Sequence, residues 1–340
     1  MRVVVAGGGL VGLTLTRLLA QRGVDAVAIE RMQPGQYVRR GFMLGHHGFD
    51  ALEQLDLLGD VRARGRAIGM QPDGREAAIA VEVGNLLGSL AGGADVRYGH
   101  AVTDLLRDGD RVSGVRVEGP GGPDDIAADL VVACDGLRSR VREMAGIRAD
   151  FAPLAEGKIE WMSGVPCEQS FAMAYLSNGA HIGMLSWPEG SFGWRTMDRT
   201  GREAAVAPGI GEFIEAWARL LPESSAGVRA LTSVDELLYT EPELLTCPAW
   251  WVPGAVVVGD AAHVFGPETG ASAGVGLADA LALAEAVRAN PKDADAACAT
   301  YEQWRGPAIR PVEAMDPSRR RLQGAAIPAP APGERWPPAA

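Results

Sequence analysis

The segment Arg2–Gly12, RVVVAGGGLVG, restricts the fold more than any other stretch of the chain. Arg2–Ala6 is a nearly continuous β-branched run, the pattern of a strand buried on both faces of a parallel sheet. Glycines 7, 8, 9 and 12 follow, and Leu10–Gln21 shows helical spacing at Leu13, Leu15, Leu18 and Leu19 before stopping ahead of Gly23. Asp25–Glu30 (DAVAIE) reads as a second strand, so the chain opens β–α–β. In such a unit Gly7 permits the tight turn, Gly9 lets the backbone approach a pyrophosphate, and Gly12 allows close helix–strand packing. The helix N-terminus offers free N–H groups and positive dipole to the phosphates, and Glu30 can accept from ribose hydroxyls. Glycine makes up 44 of 340 residues. At that frequency G-x-G-x-x-G arises by chance roughly 0.7 times in such a chain, so context carries the assignment. The motif marks a dinucleotide site without choosing between NAD and FAD.

Charge and cysteine usage narrow the function classes. Lys and Arg total 32 against 43 Asp and Glu, a formal charge of −11. That balance gives no broad footprint for nucleic acid or an anionic membrane. Cys134, Cys167, Cys247 and Cys298 are widely separated, which suits reduced thiols and neither a disulfide frame nor a metal site. The apolar run at the N-terminus is too short for a secretory signal, and no stretch reaches the ~18 apolar residues of a membrane span. A cytoplasmic enzyme with no membrane partner is expected.

The rest of the chain divides by pattern. Phe49–Leu58 reads as an amphipathic helix. Asp95–Arg107 and Arg111–Glu118 read as strands about the Asp108-Gly109-Asp110 turn, and Asp129–Cys134 as a further buried strand. From Ile159 to Asp198 the pattern is an antiparallel meander, with Asn178-Gly179 as a two-residue hairpin turn. A helix over Ile210–Leu221 follows. Parallel-sheet character returns at Gly254–Asp260, and helices are expected over Ala271–Ala289 and Asp295–Gln303. The Pro/Ala-rich tail, 316–340, reads as disordered or loosely tied down.

Two further motifs give the dinucleotide site its context. Asp129–Arg142 is DLVVACDGLRSRVR, and Gly259–His263 is GDAAH, followed by Pro267, Gly270 and a helix through Asp279. With the glycine turn, in this order, they resemble the group A, single-component FAD-dependent aromatic hydroxylases of the p-hydroxybenzoate hydroxylase type. The resemblance implies an α/β fold: a Rossmann-like FAD-binding domain formed by 1–150 and 240–315, with an interleaved antiparallel-sheet substrate domain over 151–239. It implies FAD as cofactor, NAD(P)H as co-substrate, and transfer of one oxygen atom from O2, through a flavin hydroperoxide, to an aromatic or heteroaromatic small molecule. Gly7, Gly9, Gly12 and Glu30 would hold the ADP half, with Arg39 or Arg40 on the cofactor and Val102 against the adenine. Asp135 and Gly136, with Ser139 and Arg142, would serve both FAD and NAD(P)H. Asp260, after Gly259, would bond the ribityl chain, and Pro267, Gly270, Ala271 and Ala273 would line the isoalloxazine. The chain departs from the family twice. Its counterpart of the R-x-x-L helix, Val81–Leu90, has no arginine, and the glycine–glutamine–glycine loop reads Gly270-Ala271-Ser272. An oxidase, epoxidase or reductase on the same fold, or a flavin-binding protein without turnover, are the alternatives.

The substrate side is read from the residues themselves. The Asn178-Gly179 turn would pair 174 with 183, and the next turn 183 with 196. One face would then carry Ala172, Ala174, Leu176, His181, Gly183, Leu185, Trp187, Phe192, Trp194, Thr196 and Asp198. Its small centre and aromatic margin suit a planar ring, with His181 opposite Asp198. A packed face under the 210–221 helix is the competing reading. His46 and His47 are further candidates for accepting a phenolic proton.

Overall fold

The computed structural model describes residues 1–37, 39–71, 74–154, 156–176, 180–266 and 272–313. The chain opens as expected, with β1 (Arg2–Ala6), α1 (Leu10–Gln21) and β2 (Asp25–Glu30). Next come β3 (Gly41–Gly45), α2 (Phe49–Gln54), α3 (Leu58–Arg64), β4 (Arg66–Met70), β5 (Glu76–Glu82) and α4 (Val83–Ala91). The single helix expected over 49–58 is broken at Asp56, whose φ of 57° is left-handed. The strand expected over 95–107 is likewise split into β6 (Val96–Tyr98) and β7 (Ala101–Asp108), which continues into β8 (Arg111–Gly119) and β9 (Gly122–Ala127). After β10 (Leu130–Ala133), α5 (Arg140–Ala145) and β11 (Asp150–Pro153), the meander is β12 (Gly157–Ser163), β13 (Phe171–Tyr175), β14 (His181–Trp187) and β15 (Gly190–Met197). Helices α6 (Arg199–Val206), α7 (Ile210–Leu220) and α8 (Ser225–Val228) precede β16 (Leu238–Thr240), β17 (Glu243–Thr246), β18 (Trp251–Val252), β19 (Ala255–Val257) and β20 (His263–Val264). The chain closes with α9 (Ser272–Ala289) and α10 (Ala294–Glu313).

The main sheet has the order β18-β19-β10-β1-β2-β6, parallel except for β18 at one edge. Its strands read as uninterrupted apolar runs because both faces are covered; Val3, Val4, Val5, Val131, Val132 and Val256 are fully buried. Helix α9 is apolar almost all round, and most of it is buried beside α1. Arg22, at the end of α1, donates from Nε to Glu285 on α9 at 3.0 Å, with only 10% and 8% of the two side chains exposed.

A second sheet, β13-β14-β15-β12-β16, carries its own core. Its outer face presents Ile159, Trp161, Ile182 and Met184 to Phe213 and Trp217 of α7. The inner face meets a small sheet, β3-β5-β4, that sequence patterning does not reveal. The residues expected as one substrate face therefore need two corrections. Strand β13 is slipped by one residue: Phe171, Met173 and Tyr175 stand opposite Leu185, Gly183 and His181, so Ala172, Ala174 and Leu176 belong to the α7 side. Leu176 N donates to Ala180 O at 2.7 Å, where the expected register pairs 176 with 181. Strand β15 is shifted by two, which keeps its facing: Leu185 opposes Phe192 and Gly183 opposes Trp194. Helix α7 thus covers the opposite face, and Asp198 does not meet His181. It caps α6 instead, accepting from Gly201 N at 2.6 Å. The Asn178-Gly179 turn itself lies outside the described residues.

The closest backbone packing is at the start of α1, where a Cβ on Gly12 would lie 1.9 Å from Gly7 O. Gly12→Ala forces backbone to move and is expected to destabilise the protein by about 2 kcal/mol. Urea denaturation reads this directly, and an unchanged midpoint would contradict the packing account.

Candidate functional site

Four adjacent strands of the main sheet, β19, β10, β1 and β2, run parallel with their C-terminal ends level: Val257, Ala133, Ala6 and Ile29 are successive partners. The glycine turn leaves β1, Asp135-Gly136 follows β10, Gly259-Asp260 follows β19, and Glu30 ends β2. The chain runs outward from β1 in both directions, so this edge is a topological switch point, where open α/β sheets bind ligands.

The glycine turn is shaped by what surrounds it. Gly7 has φ +110°, and a Cβ there would lie 2.4 Å from Cys134 O, so only glycine fits. Beside Gly9, by contrast, nothing lies within 4 Å of an added Cβ, and the same is true of Gly136. The N-terminus of α1 has no side-chain cap, which leaves its first N–H groups for an anion. Glu30 is oriented by two backbone donors: Gly8 N to Oε2 and Met32 N to Oε1, both at 2.7 Å. These features fit the ADP half of a dinucleotide.

The second and third motifs are tied together by one buried side chain. Asp135 accepts from Arg140 N at 2.9 Å and from Val141 N at 3.2 Å, and Ser139 caps α5 by accepting from Arg142 N at 2.9 Å. Arg142 is 4% exposed and donates to Ala261 O at 2.8 Å and Leu137 O at 3.0 Å. It fixes the turn carrying Asp260, an exposed residue. Desolvation pushes the Asp260 carboxyl above its ordinary range; His263 opposes the rise and Asp279 adds to it.

Behind Asp260 lies a buried charge cluster. His263 Nε2 is 2.8 Å from Asp279 Oδ2, and Arg305 Nε donates to Asp279 Oδ1 at 2.6 Å. Burial alone would raise the Asp279 pKa, but Arg305 and His263 hold it below the usual range. The imidazole stacks on Phe265 at 4.9 Å, which suits the structural part its buried position suggests. Arg305 is a residue with no sequence signal pointing to it. Burial and the Asp135 and Asp279 charges push the Cys134 thiol well up, leaving it unreactive.

The remaining expected site residues are spread over several elements. Arg39 Nε pairs with Glu82 at 3.0 Å, and Arg40 Nη2 with Glu160 at 2.6 Å across to the second sheet. Val102, half-buried, opens β7 opposite Val117. Ala273 is in the first turn of α9, whereas Pro267, Gly270 and Ala271 lie outside the described residues. His46 and His47 form a short turn packed on α9, with His46 Nδ1 3.2 Å from Ala77 O. His47 is 8% exposed; desolvation, then the charges of His46 and Arg305, lower its pKa to about 4. It is therefore neutral at pH 7 and a weak base. His181 is buried, its backbone N donating to Thr196 Oγ1 at 2.9 Å. Trp187 is fully buried, its ring 2.6 Å from where a Cβ on Gly41 would stand, so it seals the two sheets together. Trp194 stays half-buried, stacked on Phe192 at 6.0 Å and beside Phe171 at 6.4 Å. Lys158 and Glu160, at alternate positions of an otherwise apolar strand, are charged residues of this face that patterning could have flagged.

Among the described residues no helix is long and apolar enough to cross a membrane, and no cluster of His, Cys, Asp and Glu could hold a metal. The family model described as "FAD binding domain" matches residues 1–83 and 82–315. The chain is similar to 6-methylpretetramide 4-monooxygenase of Streptomyces rimosus, 26% identical over 82% of this chain and 73% of the relative. It is similar to 2-heptyl-3-hydroxy-4(1H)-quinolone synthase of Pseudomonas aeruginosa, 25% identical over 84% and 80% of the two chains. Its fold is like that of P. aeruginosa PqsL in complex with 2-aminobenzoylacetate, with TM-score 0.79, 19% identity and coverage of 96% and 99%. It is also like 2-methyl-3-hydroxypyridine-5-carboxylic acid oxygenase, with TM-score 0.75, 21% identity and coverage of 96% and 91%.

The low His47 pKa has a consequence for stability. The unfolded histidine titrates near 6.5 and the folded one at about 4. The unfolded state therefore binds the proton first, and stability is lost as pH falls from about 6.5 to 4, by up to about 3 kcal/mol. His47→Gln should flatten the fall in Tm between pH 7 and 4.5; an unchanged slope would contradict the burial.

Proposed function

The chain belongs to the FAD-binding-domain family of flavin-dependent aromatic monooxygenases, and on that premise we propose which of its residues serve the reaction. The protein is an FAD-dependent monooxygenase with NAD(P)H as co-substrate. NAD(P)H, O2, a proton and an aromatic substrate give NAD(P)+, water and the hydroxylated product. Bound FAD supplies the redox chemistry that couples NAD(P)H oxidation to O2. The observation that carries the assignment of residues is the convergence of three motifs and Glu30 at the ends of four neighbouring parallel strands.

In this reading α1 and Gly9 receive the diphosphate, Glu30 holds the adenosine ribose, and Asp260 bonds the ribityl chain. Arg142 positions Asp260 by fixing the Ala261 carbonyl. No side chain need attack the substrate. The protein's work is to hold the ring close to the flavin and exclude water, and the aromatic inner face of the second sheet, open at Trp194, serves that purpose. The names of the relatives support an aromatic or heteroaromatic substrate. NAD(P)H is assigned to the cleft of about 370 Å3 beside Arg138, just after Gly136 and lined also by Arg199 and Tyr239. The ion pairs there are exposed, as at Arg199–Glu241, and can yield to a diphosphate at little cost.

The test uses flavin-loaded protein with 4-hydroxyquinoline and p-hydroxybenzoate as probes under labelled O2. NAD(P)H oxidation should rise with one of them, and one labelled oxygen should appear in the product. Hydrogen peroxide in place of labelled product would make the protein an oxidase. Asp260→Ala should weaken FAD binding about tenfold or more, the loss of roughly one charge-assisted hydrogen bond, while the Tm of the flavin-free protein stays put. Unchanged affinity removes Asp260 from the site.

A further inference from the structure

We propose that Arg195 anchors a second binding site, separate from the flavin edge, that takes a small organic monocarboxylate. The proposal goes beyond the monooxygenase reading and does not depend on it.

Strand β15 places Arg195 opposite Ile159 of β12 and Ile182 of β14. Both isoleucines face α7, so Arg195 stands on the outer face of the second sheet, turned away from Trp194 and the inner face. A cation among such neighbours is normally paired. The Nε of Arg195 is instead enclosed by protein without a hydrogen-bond partner, and no described residue forms a hydrogen bond or ion pair with its Nη groups. Desolvation alone lowers its pKa, with no carboxylate near enough to offset the effect. A guanidinium still stays charged at neutral pH.

The guanidinium lines a cavity of about 490 Å3 at the end of β15, a size that suits a small molecule. Its apolar walls are Ala180 and Met197 on one side and Gly201, Ala204 and Ala205 of α6 on the other. The helix residues are three and four apart and share a face, and their small size leaves the space open. The cavity meets the cleft assigned to NAD(P)H at Asp198, but Arg199 and Tyr239 belong to that cleft and Gly201, Ala204 and Ala205 to this one.

The charges in the cavity select among anions. Glu156 and Asp198 also line it, and neither pairs with Arg195. Asp198 Oδ1 accepts from Gly201 N at 2.6 Å instead. Positive and negative ends are therefore kept apart. A single carboxylate can take the guanidinium fork in two parallel N–H···O bonds, while an apolar body lies along Met197 and Ala204. Phosphate and other polyanions would set their extra charge against Glu156 and Asp198. Without a ligand, a methionine would serve this apolar face at least as well, because desolvating an unpaired cation is costly. A bound carboxylate offsets that cost.

The test uses flavin-loaded protein and cyclohexanecarboxylate, which carries one carboxylate on an apolar body and no aromatic ring, followed by calorimetry and by Tm. One molecule should bind per chain, raise the Tm by about 2 °C or more near saturation and leave the flavin absorbance unchanged. Arg195→Met should weaken binding about tenfold or more, while the Tm without ligand holds or rises. Ala204→Leu, at an exposed position, fills the cavity and should weaken binding as much without touching the guanidinium. Inorganic phosphate and NADP+ should not compete. No binding, unchanged affinity in either variant, a lower ligand-free Tm in Arg195→Met, a change in the flavin spectrum, or displacement by phosphate or NADP+ would overturn the proposal. The readout needs no turnover, so absence of labelled product in the oxygen experiment would sink the monooxygenase reading without deciding this one.

Discussion

The architecture depends on a backbone-to-backbone approach at the end of β1. There the chain must turn into α1 while lying against the Cys134 carbonyl, and α1 must start so near the turn that Gly12 faces Gly7 O. A Cβ at either position would push the helix away from the sheet. Helix α1 in turn sets Val11 between Gly259 and Gly276, where added Cβ atoms would come within 3.0 and 2.7 Å of its side chain. One steric condition therefore places the first helix, the Asp260 turn and α9 together. Dipole and N–H groups of α1 become useful to a diphosphate only because that packing directs them at open space beside Gly9.

Buried charge supplies what packing alone cannot. Arg142 spans from α5 to the Ala261 carbonyl, so two motifs far apart in sequence keep a fixed spacing. The His263–Asp279–Arg305 cluster joins β20, α9 and α10 behind the same turn. Breaking such a network by removing one partner is costly because it strands the other charge without solvent. The second sheet is fastened differently, by an apolar seam in which Trp187 fills the space over Gly41, and by Arg40 reaching Glu160. The parallel sheet is thus braced by a charged side chain on a backbone carbonyl, and the second sheet mainly by aromatic packing.

The sequence was most readable where local pattern and chemistry coincide. The valine run, the glycine turn and the acid closing β2 describe β1, α1 and β2 together, and the order of the three motifs identifies the cofactor. It was least readable where long-range pairing decides. Nothing in GFMLG, RAIGM and EAAIAVE announces that they form one sheet. The hairpin slip follows from closure between Leu176 and Ala180, and a register difference of one residue is enough to exchange the faces of a strand. Helix α6 had one legible sign, Asp198 as its cap. Arg305 had none, because its partner lies on another helix and no local spacing records that. Arg40 shows the same limit: its partner Glu160 lies on another sheet, and no local spacing records that pairing.

The central claim is that this edge of the sheet is built for a dinucleotide-length flavin. Titrating flavin-free protein with FAD and with FMN, followed by flavin absorbance and fluorescence, tests it most directly. The account predicts one FAD per chain, bound at least about a hundredfold more tightly than FMN, because the glycine turn, α1 and Glu30 act only on the adenosine diphosphate half. Equal affinity for FMN, or no uptake of FAD, would contradict it.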